Sequence, residues 1–361
     1  MKNKFGDNIS FTVFGESHGG EIGALIEGID AGIKVDDDFI KELLAKRRPR
    51  GKGETQRIEA DNYRIVSGVF NSYTTGAPIC ILIKNENTKS SDYEYLRNHP
   101  RPSHADYVAK MKYNGYNDYR GGGVFSGRLT AAIVASGAIV IPKLKEMGIN
   151  IATHIKEIMG VCDLDLVKEA QDDNKFLEYI DTINQKSFPT ILSIEDKMQE
   201  KIEYAASIGD SIGGVCQTVI TGVNVGVGDP YFSSIESKIS EAIFGIGAIK
   251  GIEFGLGFDF KNHYGSEVLD EFIIKNNEVK TKSNNNGGIN GGIANGMPII
   301  FNTIIKPTPT IKKEVGTINL DTMEEEKMTV SGRHDPAIIR RIAPVITSMT
   351  ALVVYDLVKN K

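Results

Sequence analysis

The sequence predicts an α+β fold or a sheet-helix sandwich in a single domain, residues 1–361. Three observations point there. Strand-like runs come in hairpin-like pairs, helical patterns separate only some of them, and no Pro/Ser-rich linker divides the chain. A regular doubly wound fold would alternate strand and helix throughout. With 361 residues, 40% of them hydrophobic, the chain has material for one large core or two smaller ones.

The β-like runs fall at residues 9–14, 22–29, 63–69, 78–83, 215–221, 252–258 and 298–304. Helical patterns occupy residues 36–46, behind an acidic first turn, then 129–147, 194–206, 233–244 and 337–358, the last despite Pro344. A shorter one runs through Tyr107 and Met111. The low-complexity stretch 283–286, with the glycines after it, reads as a mobile loop. The 38 glycines cluster in doublets and triplets without a fixed period, which disfavours a solenoid or propeller. They supply turns that need positive φ, or places where a ligand comes close to the backbone.

Several classes of function are disfavoured. A net charge of −5 provides no basic field for nucleic acid or an anionic membrane. The longest apolar stretch, residues 129–144, is shorter than the roughly 20 residues that span a bilayer. Residues 1–10 lack the apolar centre of a secretory signal, so a cytoplasmic location is expected. Cys80, Cys162 and Cys216 sit far apart in apolar, strand-like runs, which suits buried reduced thiols rather than disulfides or metal ligands.

Four motifs could carry chemistry. Gly15-Glu16-Ser17-His18-Gly19-Gly20 puts a hydroxyl beside an imidazole at the end of a strand. It formally matches a nucleophile elbow, but a strand-like run follows where that motif needs a helix. Lys46-Arg47-Arg48-Pro49-Arg50, with Lys52 and Arg57, is either a solvated helix end or a bidentate anion site. Arg101-Pro102-Ser103-His104-Ala105-Asp106 precedes Arg120-Gly121-Gly122-Gly123-Val124-Phe125-Ser126-Gly127-Arg128, where a glycine triplet opening a long helix would cradle an anion. Gly332-Arg333-His334-Asp335-Pro336 sets a carboxylate among basic side chains, as a charged partner or as an N-cap. Gly245 to Gly251 mimics a dinucleotide fingerprint but follows a helix and precedes a strand, the reverse of a Rossmann turn.

Taken together and in this order, the motifs resemble the chorismate synthase family. The match runs through Gly15 to Gly19, Arg47 to Gly76, Arg101 to Arg128, Gly209 to Gly214, Ala248 to Gly255, Gly287 to Gly296, Lys306-Pro307-Thr308 and Gly332 to Pro344, and is weakest from Asn150 to Ala206. The resemblance implies a β-α-β sandwich, a homotetramer, and 1,4-anti elimination of phosphate from 5-enolpyruvylshikimate 3-phosphate to give chorismate. It implies reduced FMN as cofactor without net oxidation; some members reduce flavin themselves, but no obvious extra module is seen here, so a separate flavin reductase is expected, with NADP in the flavin-reduction step. A flavin oxidoreductase, or a non-catalytic anion-binding protein, would share several of these motifs.

Residue by residue, the resemblance makes His18 the acid at the departing phosphate, His104 the group at the flavin N1 edge and Asp335 the relay for the C6 proton. Ser17 and Ser126 orient these groups. Arg47, Arg48 and Arg128 become substrate contacts. Val124, Phe125, Ser126, Gly247, Ala248, Gly291, Lys306, Pro307, Thr308, Pro309, Thr310 and Arg333 become flavin contacts, and no metal is implied. Val124, Phe125 and Leu129 stand where many members have Arg, Ser and Glu, and Pro309-Thr310 replaces a frequent Ser-Ser. Backbone contacts survive such changes.

Overall fold

The structure, a computed structural model, describes residues 3–50, 54, 60–86, 93–169, 172–330 and 335–359. The chain begins with β1 (Lys4–Phe5), β2 (Ser10–Gly15), β3 (Glu21–Glu27), α1 (Asp37–Arg47), β4 (Tyr63–Ser67), the hairpin β5 (Val69–Phe70) and β6 (Tyr73–Thr74), and β7 (Ile79–Lys84). Then come α2 (Asp106–Lys112), α3 (Thr130–Glu146), β8 (Asn150–Ile158), β9 (Val161–Cys162), α4 (Asp173–Gln185), α5 (Glu195–Ser207), β10 (Gly214–Thr221), α6 (Ile235–Ile243) and β11 (Ile249–Phe254). The hairpins β12 (Phe272–Lys275) with β13 (Glu278–Thr281) and β14 (Ile289–Asn290) with β15 (Ile293–Ala294) lead to β16 (Ile299–Ile305). A last hairpin, β17 (Val315–Asn319) and β18 (Glu324–Met328), precedes α7 (Ile339–Val358).

Two antiparallel five-stranded sheets result, in the orders β1-β2-β3-β7-β4 and β11-β16-β10-β8-β9. Helix α3 packs on β3 and β7, α7 packs on β8 and β10, and α3 and α7 pack on each other beside α1 and α6. The architecture is a β-α-β sandwich. This explains why α3 and α7 are apolar nearly all round, since a helix between two sheets has little solvent side. Gly127–Glu146 and Ile339–Val358 have the length and hydropathy of membrane spans, which the reading of residues 129–144 as too short did not anticipate. In this fold 67% and 89% of the respective windows are buried against protein.

Local signals account for the element ends. Asp36 caps α1 by accepting from the amides of Asp38 and Phe39, as the acidic first turn suggests. The run 63–69 is broken at Gly68, whose φ of +85° no strand residue adopts. The run 252–258 stops at Phe254 because Gly255 (φ +58°) turns the chain. The outer face of the second sheet is covered by α4, with Phe176, Ile180 and Ile183 against Ala152, Val219 and Ile300. Beneath that cover lies a polar chain. His154 Nδ1 is 2.8 Å from Asp163, and Gln217 accepts from the Leu166 amide at 2.8 Å while donating to Asp165 and Asn302 at 2.9 Å each.

Two expectations are corrected. Residues 283–286 are tied down: Asn284 is buried and donates to the Pro298 carbonyl at 2.8 Å, and the amides of Asn285 and Asn286 donate to Asp270 at 2.7 and 2.9 Å. Cys162 is exposed, because β9 is a two-residue edge strand, whereas Cys216 in the central β10 is buried.

Candidate active site

The turn after β2 carries Ser17 and His18, both buried. Asn85, just past β7, pins this turn by donating from Nδ2 to the carbonyls of Glu16 (2.9 Å) and Gly19 (2.8 Å). A strand, β3, follows the turn, so the serine lacks the helix of a nucleophile elbow. The glycine triplet folds against the same turn, and the Ser17 amide donates to the Gly123 carbonyl at 3.2 Å. Gly121, Gly122 and Gly123 have φ of +58°, +85° and +53°, which side chains rarely tolerate. A Cβ on Gly121 would lie 2.3 Å from His18 Cε1, and one on Gly122 would lie 3.4 Å from His104 Cε1. The triplet is therefore a wall shared by two imidazoles. It does not open the long helix, as the sequence suggested. Its dihedrals are non-helical, Ser126 accepts from the Arg128 amide to cap the short turn Gly127–Leu129, and α3 begins only at Thr130.

His104 is held by Asp106 at the start of α2, with Nδ1 and Oδ1 2.6 Å apart. Arg101 grips the same carboxylate through Nε at 2.8 Å and Nη2 at 2.9 Å. Burial pushes the Asp106 carboxyl up, but the hydrogen bonds from Arg101 and His104 outweigh it and hold the group well below the usual carboxylate range. An ionised carboxylate only accepts, so His104 Nδ1 carries the hydrogen, and Nε2 is left on the Gly122 side of the ring.

The segment from Lys306 to Thr310 links His104 to Asp335. Lys306 Nζ donates to the Ser103 carbonyl at 2.7 Å, and Arg101 Nη1 reaches Thr310 Oγ1 at 3.2 Å. Thr308 Oγ1 donates to the Asp335 carbonyl at 2.6 Å, and its own carbonyl accepts from Ser211 at 2.7 Å. Burial and the nearby Lys250 lower the Lys306 ammonium's pKa. The Lys306 amide donates to the Ala248 carbonyl at 3.0 Å, which brings Gly247 and Ala248 to this edge.

Within the basic cluster Arg50 is exposed and Lys52 and Arg57 lie outside the described residues, but Arg47 and Arg48 are not a solvated helix end. Arg47 is buried and donates to both oxygens of Asp61 at 3.1 Å, and Arg48 Nε lies 3.5 Å from the same carboxylate. Arg128, also buried, pairs with Asp61 and donates to Asn85 Oδ1 (2.9 Å) and the Lys84 carbonyl (2.8 Å). Asp335 pairs with Arg341, whose Nε donates to the Arg47 carbonyl at 3.0 Å. Asp335 is not an N-cap, since Ile338 holds that position without a side-chain cap. Continuous polar contacts thus run from the His18 turn through Asn85, Arg128, Asp61, Arg47 and Arg341 to Asp335.

Of the sequence-derived candidates, Arg333 lies outside the described residues. Val124 is half-buried, Phe125 is exposed, and Pro307 and Pro309 sit on the linking segment. Gly291 is not drawn into this network. Its hairpin is tied to the start of α6 through the Ile235 amide and the Gly292 carbonyl, whereas Gly247 lies past that helix's other end. Sequence reasoning missed Asp61, Asn85 and Arg341, which stand in no recognisable spacing, and gave no role to Arg101 and Asp106 although they were inside a motif.

Two antiparallel sheets around a helical layer, with two histidines, a carboxylate and buried guanidinium groups joined in one network, define an enzyme for a small polyanion. The chorismate synthase family model matches residues 9–358. The chain is 44% identical over 350 residues to the chorismate synthase of Pyrococcus abyssi, covering 96% of this chain and 95% of that one. It is 41% identical over 359 residues to that of Thermococcus gammatolerans, covering 99% and 96%. A crystal structure of chorismate synthase superposes with a TM-score of 0.75 at 28% identity, covering 98% of this chain and 92% of that one. The chain belongs to the chorismate synthase family. It is a carbon–oxygen lyase that eliminates phosphate from 5-enolpyruvylshikimate 3-phosphate to give chorismate, in a family that uses flavin.

Proposed function

We propose that the elimination takes place along the wall made by Gly121, Gly122 and Gly123, with reduced FMN and the substrate bound beside it. The observation that carries this reading is the wall itself, one backbone turn with His18 against one glycine and His104 against the next. The residues fit the cofactor and substrate. Among the described residues, Ser17 Oγ and Arg47 Nε are buried without a hydrogen-bond partner, and space is open where a Cβ on Gly247 would stand. Val124, Phe125, Ser126, Gly247, Ala248, the segment from Lys306 to Thr310 and Arg333 hold the flavin, and Arg47, Arg48 and Arg128 serve the substrate's anions. Gly291, remote from this cluster within one chain, joins a flavin site only in an assembly such as the homotetramer.

Reduced FMN, when bound, supplies transient electron density that helps expel phosphate without net oxidation. His18 donates a proton to the departing phosphate, with Ser17 orienting it. His104, its Nδ1 engaged by Asp106, presents Nε2 towards the ring edge. Asp335, fixed by Arg341, takes the proton lost from C6. The three described cysteines are all free thiols, which supports a cytoplasmic setting. A separate reductase supplies the reduced flavin.

The test is anaerobic phosphate release with photoreduced FMN and 5-enolpyruvylshikimate 3-phosphate. Many phosphates should be released per flavin, with the flavin still reduced at the end. One flavin oxidised for each phosphate released would overturn the reading.

A further inference from the structure

The anion site contains a residue of the wrong sign. Asp61 is buried to 3% exposure among Arg47, Arg48 and Arg128. Its backbone has φ of +53°, in the left-handed region that aspartate enters more readily than most residues other than glycine. Burial pushes its carboxyl up, yet the charges of Arg47 and Arg128 prevail and hold it below the usual range, so it is ionised at neutral pH. Among the described residues the three guanidinium groups share this one carboxylate, while Arg341 pairs with Asp335. Arg47 Nε is buried and makes no hydrogen bond among the described residues.

We propose that Asp61 is the positioning residue of the substrate's anion site, holding the Arg47, Arg48 and Arg128 guanidinium groups in the orientation that meets the substrate's anions. Each guanidinium is a rigid planar fork, so its direction decides whether it binds an oxyanion through two N–H groups or one. Asp61 takes both of its 3.1 Å contacts from Arg47 Nη2, which leaves Nε available. The proposal rests on the assignment of these arginines to the substrate.

The substitution Asp61→Asn separates positioning from charge. Charge alone predicts the opposite sign, because removing a carboxylate from an anion site strengthens attraction for the substrate. Positioning predicts weaker binding. Calorimetric titration of the FMN-loaded protein should show the substrate dissociation constant of Asp61→Asn raised at least about tenfold, with kcat within about threefold of wild type at saturation. Asp61→Glu, which keeps the charge but displaces the carboxylate by one methylene, should also lose affinity. Unchanged or tighter binding in either folded variant overturns the proposal, and so does failure of both to fold, which would make Asp61 purely structural. A wild-type protein that fails to bind substrate would instead refute the assignment of the arginines.

Discussion

His104 and Asp335 reach the site from positions more than 200 residues apart, and each has a partner of opposite character among the described residues, Asp106 for the first and Arg341 for the second. In the roles proposed for them, both groups act on the transition state rather than on ground-state binding. His104→Ala and Asp335→Asn should each lower kcat by about 10²- to 10⁴-fold, with a smaller change in the substrate dissociation constant. Steady-state kinetics with excess reduced FMN would check this, and an unaltered kcat would remove that residue from the chemistry. Both residues were legible in the sequence because they sit inside motifs. Asp61 and Asn85 were not, since a lone acid or amide has no spacing to betray it and acquires its role only when the chain folds. Arg47 stood in a motif that equally described a solvated helix end, and only its burial on Asp61 decides between the two.

At the level of elements, the periodicity of residues 129–147 and 337–358 located the two central helices, and strands β2, β7, β10 and β16 were found within two residues. β8 was missed. Its sequence, Asn-Ile-Ala-Thr-His-Ile-Lys-Glu-Ile, carries polar residues that read as surface, yet both faces are covered: α4 and the chain near Asp163 bury His154 on one, and α7 lies against the other, where Thr153 meets Thr218. Helix packing supplies a sharp test. A Cβ on Gly137 of α3 would stand 2.4 Å from Ser348 Cβ and 2.6 Å from its Cα on α7, too close for any rotamer change to relieve. Gly137→Ala should therefore destabilise the protein by about 2 kcal/mol, despite alanine's better helix propensity. Urea unfolding measures this, and a stabilised variant would show that the two helices separate readily.

For the whole molecule, stability draws on ionised carboxylates scattered through loops and helix starts, among them Asp37, Asp106, Asp163 and Glu195. Burial raises the Asp163 carboxyl, but the hydrogen bonds from His154 and the amides of Ile191 and Leu192 prevail and set it below its ordinary value of 3.8. A carboxylate depressed in the folded state adds stability that is present above the unfolded value and is lost as pH falls through the folded one. Resistance to denaturant should therefore fall as pH drops below about 4, and Asp163→Asn should be less stable at pH 7 with a shallower acid decline. An equally steep decline in the variant would place the acid sensitivity elsewhere. The sandwich as a whole was legible through resemblance rather than periodicity, since nothing in the strand patterns says which sheet lies on which face of the helices.

The central claim is that His18, His104 and Asp335 serve one flavin and one phosphate ester. A crystal structure with FMN and 5-enolpyruvylshikimate 3-phosphate bound tests it most directly. The account predicts the isoalloxazine ring beside Gly121 to Gly123, with His104 and Asp335 at its edge and His18 within about 3.2 Å of a phosphate oxygen. A flavin bound away from the glycine wall, or a substrate phosphate out of reach of His18, would contradict it.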